Sequence, residues 1–120
     1  MIIHGDFTKR YEKIPVDIYE DSSAASVLVA ETIAELIRSK SRKGQNCVLA
    51  LSASSSAIQV YEELVNIHKT KDLSFKNVHL FSVEEYWPLN KNELQSHYRF
   101  FQEYILEGID IPKENIHFLD

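Results

Sequence analysis

Apolar residues recur along this chain with two different spacings, and these spacings predict strands that alternate with helices. Cys47–Leu51 is an uninterrupted apolar run, which is typical of a strand buried on both faces of a parallel sheet. Residues 78–83 have the β-branched and aromatic content of a second strand. Shorter strands are predicted at 16–19, where apolar and polar residues alternate, and at 116–119.

Three further segments carry apolar residues at helical spacing and predict helices at 22–41, 55–69 and 93–107. Asp21 offers an N-cap for the first helix, and Gly44 follows its basic last turn as a helix-ending residue. The residues predicted to face the core are Ala25, Val29, Ile33, Leu36 and Ile37 in the first helix, Ile58, Tyr61, Leu64, Val65 and His68 in the second, and Leu94, Tyr98, Phe101 and Ile105 in the third.

This alternation predicts an α/β fold with a three-layer, Rossmann-like and mostly parallel sheet, in which the strands at 47–51 and 78–83 run parallel. Residues 1–15 are interpreted as an N-terminal arm and residues 16–120 as the α/β domain. In such sheets ligands bind beyond the carboxyl ends of the strands. We therefore expect a site in the loops that follow the two central strands.

The composition of the 120-residue chain mainly excludes classes of partner. The net charge is −5 and the basic residues form no stripe, which argues against nucleic acid and against an anionic membrane surface. Cys47 is the single cysteine, so a disulfide framework is excluded. No apolar run has the length of a membrane-spanning helix and the first residues lack a secretory signal, so a cytoplasmic location is the default expectation.

A loop of small residues follows the first central strand. This serine loop, Ser52–Ser56, leads directly into the second predicted helix. Backbone N–H groups at a helix N-terminus have no internal partners and favour anions, so the loop is a candidate phosphate site. A serine N-cap on an ordinary helix explains the same residues, and the loop has none of the glycines that usually let a backbone approach a phosphate.

An acidic loop, Glu84–Tyr86, follows the second central strand. Glu84 and Glu85 are adjacent and therefore point to opposite sides of an extended segment. Beside Tyr86 and Trp87, one carboxylate with a raised pKa would suit general-base work. Two solvated glutamates at the start of a surface loop are the alternative. His97 is expected to border the same cleft, and no His or Cys pair has the spacing of metal ligands.

Resemblance to a known family is carried by three segments, VLALSASSSAIQVYEELVNIHK, LSFKNVHLFSVEEYWPL and IDIPKENIHFL. In order and spacing they resemble glucosamine-6-phosphate deaminases and the related 6-phosphogluconolactonases. The likeness covers about residues 7–120 and is greatest to long, two-domain deaminase-like proteins of some bacteria, which also carry a stretch like EKIPVDIYEDSS.

The resemblance implies a role for each candidate residue. The family's glycine-containing phosphate loop falls on Ser52–Ala57, with Ser54 and Ser55 at its glycine positions. Its catalytic aspartate, the base at sugar C2, falls on Glu84, whose side chain is one methylene longer. The predicted catalytic residues are Glu84 and Glu85, the predicted cleft-lining residues are Tyr86 and His97, and the predicted phosphate-binding residues are Ser52, Ala53, Ser54, Ser55 and Ser56.

The implied function is that of a glucosamine-6-phosphate deaminase/isomerase, which couples aldose–ketose isomerisation of a sugar phosphate to release of ammonia. A 6-phosphogluconolactonase-like hydrolase and a non-catalytic sugar-phosphate sensor are the alternatives. No metal or organic cofactor is implied. The family continues through an Asp/His/Glu cluster beyond Asp120, so we expect a domain truncated relative to the family and inactive as given. A homo-oligomer and the remainder of a longer chain are both open as partners.

Overall fold

The computed structural model describes residues 13–119, so most of the predicted N-terminal arm lies outside the described residues. Within residues 13–119, three α-helices and three strands alternate: α1 Ser22–Arg42, β1 Cys47–Leu51, α2 Ile58–Thr70, β2 Val78–Ser82, α3 His97–Tyr104 and β3 Ile116–His117. Short 3₁₀ turns occupy Ser55–Ala57, Leu106–Gly108 and Lys113–Asn115. None of the helices described is both long and apolar enough to cross a membrane.

The three strands form one parallel sheet in the order β1-β2-β3. Leu51, the last residue of β1, is paired with Ser82, the last residue of β2. One residue further on, the Val83 N–H donates to the Leu51 carbonyl at 3.1 Å. The predicted α/β class and the parallel pairing of the two central strands are therefore confirmed.

Both predicted ends of α1 are confirmed. The Asp21 side chain accepts a hydrogen bond from the Ala24 N–H at 2.7 Å, so it satisfies one of the unpaired donors of the first turn. Gly44 has a φ of 66°, and its N–H donates to the Ser41 carbonyl. The Gln45 N–H donates to the Lys40 carbonyl at 2.9 Å, which completes a Schellman motif.

The face that α1 buries agrees with the predicted one at Ile37 and is otherwise displaced by one position. The buried residues are Ser26, Ala30, Ala34 and Ile37, whereas Val29 and Leu36 are each almost half exposed. Small side chains on the buried face allow α1 and α2 to approach closely. At Val29 and Ile33 the prediction followed the larger apolar residue, whereas close packing of the two helices buries the smaller Ala30 and Ala34.

Two other predicted elements differ from the structure. Residues 16–19 pair with no strand in the described part of the chain, and Val16 is 54% exposed. The third helix begins at His97 instead of 93, because Ser96 caps it and Asn90 closes a turn by accepting from the Asn92 N–H. Leu94 consequently lies outside the helix and is exposed. The predicted strand at 116–119 is reduced to Ile116–His117.

One face of the sheet packs against the helices and the other is open. Cys47, Leu49 and Leu51 join a single core cluster with the buried residues of all three helices. Their neighbours on the opposite face are exposed, Val48 by 64% and Phe81 by 43%. Within residues 13–119 the helices pack against only one face of the sheet. The expectation that β1 is buried on both faces is therefore wrong for the described part of the chain.

Candidate active site

The serine loop and the acidic loop lie side by side at one edge of the sheet. Ser52 directly follows β1, and Val83 and Glu84 directly follow β2. Because β1 and β2 are parallel and end in register, both loops leave the sheet at its carboxyl edge. The structure thus brings the two loops to one edge of the sheet, as the predicted parallel arrangement of the two strands implied.

The serine loop adopts its conformation without backbone strain. Ser54 has φ −116° and ψ 137°, and among the described residues only Gly44 and Asp72 have positive φ values. The path of this backbone therefore does not require glycine. What the serines add is their Cβ atoms, which narrow the approach to the loop's N–H groups.

The serine side chains do not cap the helix that they precede. Neither the 3₁₀ turn Ser55–Ala57 nor α2 has a side-chain hydrogen bond at its N-cap. The Ser54 and Ser56 hydroxyls instead bond to each other at 2.7 Å. This geometry disagrees with the interpretation of the loop as an ordinary serine N-cap, and it leaves exposed hydroxyl groups next to the helix N-terminus.

Tyr61, which the sequence placed in the core, has a second role that sequence reasoning missed. Its hydroxyl donates to the Ser52 carbonyl at 2.6 Å and so fixes the start of the serine loop to α2. Burial raises the pKa of Tyr61, so the hydroxyl keeps the proton that it donates. No local pattern links residues nine positions apart in this way, and the contact is a consequence of the strand–loop–helix path.

The Glu85 carboxylate is directed at the N-terminus of α3. Its Oε1 accepts from the His97 N–H at 2.8 Å and from the Tyr86 N–H at 2.9 Å, and its Oε2 accepts from the Tyr98 N–H at 3.1 Å. Partial burial acts to raise the pKa of Glu85, but the three N–H groups and nearby His97 outweigh it and lower that pKa. A raised pKa, as the sequence suggested for one of the two glutamates, is therefore wrong for Glu85.

Glu84 has the opposite environment. Its side chain is exposed, and within residues 13–119 its carboxylate has no hydrogen-bonding partner. Its backbone carbonyl, by contrast, accepts from the Ser82 hydroxyl at 2.8 Å and from His97 Nδ1 at 2.7 Å. Glu84 is thus a free carboxylate on a fixed backbone.

His97 packs against Tyr86, the last residue of the acidic loop. His97 is 7% exposed, and its ring meets the Tyr86 ring edge-on with centroids 4.8 Å apart. A cleft of about 590 Å³ opens beside Tyr86, and neither Glu84, His97 nor the serine loop lines it. Its lining residues are Glu85, Tyr86, Trp87, Leu89, Asn90, Lys91, Asn92 and Leu119. Over residues 13–119, no three His, Cys, Asp or Glu side chains are grouped so as to hold a metal ion.

Comparison with known proteins places the chain in a family. Residues 20–120 match the family model of glucosamine-6-phosphate isomerases/6-phosphogluconolactonase. A glucosamine-6-phosphate deaminase-like protein of Bacteroides thetaiotaomicron is 43% identical over 107 residues, which are 89% of this chain and 16% of that protein. Glucosamine-6-phosphate deaminase 2 of Giardia intestinalis is 41% identical over 98 residues, 82% of this chain and 36% of its own.

Solved structures show the same fold. A monomeric glucosamine-6-phosphate deaminase superposes with a TM-score of 0.78 at 22% identity, over 83% of this chain and 40% of its own. A 6-phosphogluconolactonase from Thermotoga maritima superposes with a TM-score of 0.58 at 23% identity, over 76% of this chain and 41% of its own. The chain therefore spans well under half the length of these relatives. By its sequence match over residues 20–120, it belongs to the family of glucosamine-6-phosphate isomerases and 6-phosphogluconolactonases.

Proposed function

We propose that this chain forms the phosphosugar-holding part of a glucosamine-6-phosphate deaminase-type site. In this proposal the serine loop binds the phosphate and Glu84 exchanges the proton at sugar C2. The observation that carries it is the position of both loops at the carboxyl edge of two strands that end in register. A free carboxylate and a helix N-terminus at one sheet edge suit a substrate with an acidic C–H group at one end and a phosphate at the other.

The deaminase assignment is favoured over the lactonase by the curated relatives. Those cited above at 41–43% identity are named for glucosamine-6-phosphate deaminase activity or likeness to it. Lactone hydrolysis needs an activated water, whereas isomerisation needs a carboxylate that takes a proton from carbon and returns it to the neighbouring carbon. The unpartnered Glu84 carboxylate could serve as the base for either reaction, so the names of the relatives carry the preference for the deaminase.

Binding is tested by isothermal titration of the chain with glucosamine 6-phosphate, 6-phosphogluconate and unphosphorylated glucosamine. We expect weak binding of the phosphorylated sugars only, with preference for glucosamine 6-phosphate. Ser55→Asp puts a negative charge where the phosphate would bind and should abolish the signal. Ser23→Asp is the matched control, because it adds the same charge to the first turn of α1. Equal losses in both variants, or no binding to the wild type, would contradict a phosphate site in the serine loop.

The catalytic role of Glu84 is tested separately from binding. Glu84→Gln keeps the size of the side chain but removes the base, and general-base catalysis typically contributes about 10²- to 10⁴-fold. In the whole open reading frame that contains this sequence, we expect that loss in ammonia release with little change in phosphosugar affinity. Exposed Glu93→Gln is the control for charge. We expect no turnover from the 120-residue chain alone.

A further inference from the structure

The Glu85 carboxylate has a distinct place in the acidic loop, because it connects the loop to a helix. The first two N–H groups of α3, those of His97 and Tyr98, donate to its two oxygens at 2.8 and 3.1 Å. The next N–H, that of Arg99, donates to the Ser96 hydroxyl at 3.0 Å. Glu85, which lies twelve residues before His97 in the sequence, therefore accepts from the two N–H groups of the first turn that the Ser96 side chain does not cap.

A side chain of α3, that of His97, also forms a hydrogen bond to the backbone of the acidic loop. His97 Nδ1 lies 2.7 Å from the Glu84 carbonyl oxygen. Because a carbonyl only accepts, Nδ1 must carry the hydrogen, and this fixes the tautomer of the neutral ring. The Ser82 hydroxyl donates to the same oxygen at 2.8 Å, so both lone pairs of the Glu84 carbonyl are used.

We propose that Glu85 and His97 are positioning residues, which together fix the backbone of Glu84 and so determine where its free carboxylate meets a substrate. This inference rests on the proposed role of Glu84 as the base. It reassigns Glu85, which the sequence placed among the catalytic residues, because each of its carboxylate oxygens already accepts from the backbone. The bonds from Glu85 to α3 fix the residue that follows Glu84, and the hydrogen bond from His97 fixes the Glu84 carbonyl itself.

Glu85 is not suited to take the proton itself. Its lowered pKa makes it a weak base, and protonation would remove acceptors from the N-terminus of α3. The adjacent glutamate is free of these contacts. The Glu85 carboxylate therefore holds the loop in place, and the Glu84 carboxylate is available to act as a base.

The first test needs no ligand. Amide hydrogen exchange is measured by NMR for the wild type, Glu85→Gln and the exposed control Glu93→Gln. We expect exchange at the His97 and Tyr98 amides to rise roughly tenfold or more in Glu85→Gln only, since hydrogen bonds to a charged acceptor are being weakened. His97→Asn retains a donor near the position of Nδ1 and should keep the Glu84 carbonyl ¹³C shift, whereas His97→Phe should move it. Unchanged exchange and unchanged shifts would overturn the inference.

The second test separates positioning from simple stabilisation. The ¹³C resonance of the Glu84 carboxyl is followed while glucosamine 6-phosphate is added. We expect a ligand-induced shift in the wild type that is lost in Glu85→Gln, with affinity for the phosphosugar retained. The same shift in both proteins would refute positioning while leaving the proposed function intact. If the wild type binds no phosphosugar, the proposed function fails, and the exchange data still decide whether Glu85 and His97 fix the loop.

Discussion

Asp110 joins two segments that are far apart in sequence, and its removal should measurably destabilise the fold. One carboxylate oxygen accepts from the Phe75 N–H at 2.6 Å and the other from the Ser74 hydroxyl at 2.9 Å. His68 Nδ1 lies 3.7 Å from the first of these oxygens. The loop held in this way carries Leu73 and Phe75 into the core, where each is 1% exposed. Asp110 thus ties the α2–β2 connection to the segment before β3.

The size of the effect follows from the hydrogen bonds that each substitution loses. Asp110→Asn keeps one carbonyl acceptor but loses the charge, so we expect a loss of about 1 kcal/mol. Asp110→Ala also leaves the Phe75 N–H without its acceptor, and we expect about 2–3 kcal/mol. With a typical urea dependence of about 2 kcal/mol per M for a small protein, these losses lower the unfolding midpoint by roughly 0.5 M and 1–1.5 M.

The contribution of Asp110 to the free energy of unfolding should decrease as the pH falls. Partial burial acts to raise the pKa of Asp110, but the Phe75 N–H, the Ser74 hydroxyl and nearby His68 outweigh it and lower that pKa. A lowered folded-state pKa stabilises the protein above the unfolded-state value of about 3.9, and this stability is lost as pH falls through the folded value. The advantage of the wild type over Asp110→Asn should therefore be complete at neutral pH and disappear in acid.

Urea unfolding followed by far-UV circular dichroism measures these changes. Tryptophan fluorescence is a poor probe here, because the single tryptophan, Trp87, is 84% exposed. Glu114→Gln is the matched control, since it removes one exposed negative charge close to Asp110 in the chain. Equal midpoints for Asp110→Asn and Glu114→Gln at neutral pH, or a difference that persists unchanged in acid, would show that the carboxylate does not hold the loop.

Four further substitutions test the backbone and the packing by the same unfolding assay. Gly108→Ala places a Cβ 2.6 Å from Val65 Cγ1, and overpacking of this kind should cost about 1–3 kcal/mol; a neutral result would mean that Val65 moves freely. Asp72→Gly relieves a φ of 54° and should raise stability by roughly 0.5–1 kcal/mol, whereas a loss would indicate that the aspartate side chain matters more than its backbone. Val48→Thr on the open sheet face should be nearly neutral and Val78→Thr in the core should cost about 1–3 kcal/mol, so equal costs would show that the open face is covered in solution.

The elements with strong local signals were predictable from sequence. Asp21 and Gly44 mark the ends of α1 through capping chemistry that depends on a few neighbouring residues. The apolar runs at β1 and β2 identified both central strands, and the alternation with helices implied their parallel pairing.

The features that sequence missed depend on contacts between distant residues. The buried face of α1 runs through Ala30 and Ala34 because α2 packs closely against it. The spacing of apolar residues within α1 alone does not show where α2 will pack. The hydrogen bonds of the Glu85 carboxylate depend on where α3 begins, which Ser96 decides eleven positions later. Similarly, the exposure of Val48 depends on which elements cover the sheet, and an apolar strand sequence does not specify them.

In the proposed site, the fixed backbone of the acidic loop also limits how the Glu84 carboxylate, which is one methylene further from the backbone than that of an aspartate, can reach a substrate. The carboxylate could occupy the position of an aspartate carboxylate if the loop backbone moved back by the length of the added methylene, about 1.5 Å. The Glu84 carbonyl, however, is held by both Ser82 and His97, so the backbone is not free to move back. The extra length must be taken up by the rotamer of Glu84 or by the position of the substrate. Since a misplacement near 1 Å can cost roughly a hundredfold in rate, the contacts that fix Glu84 also set how well a glutamate can serve there.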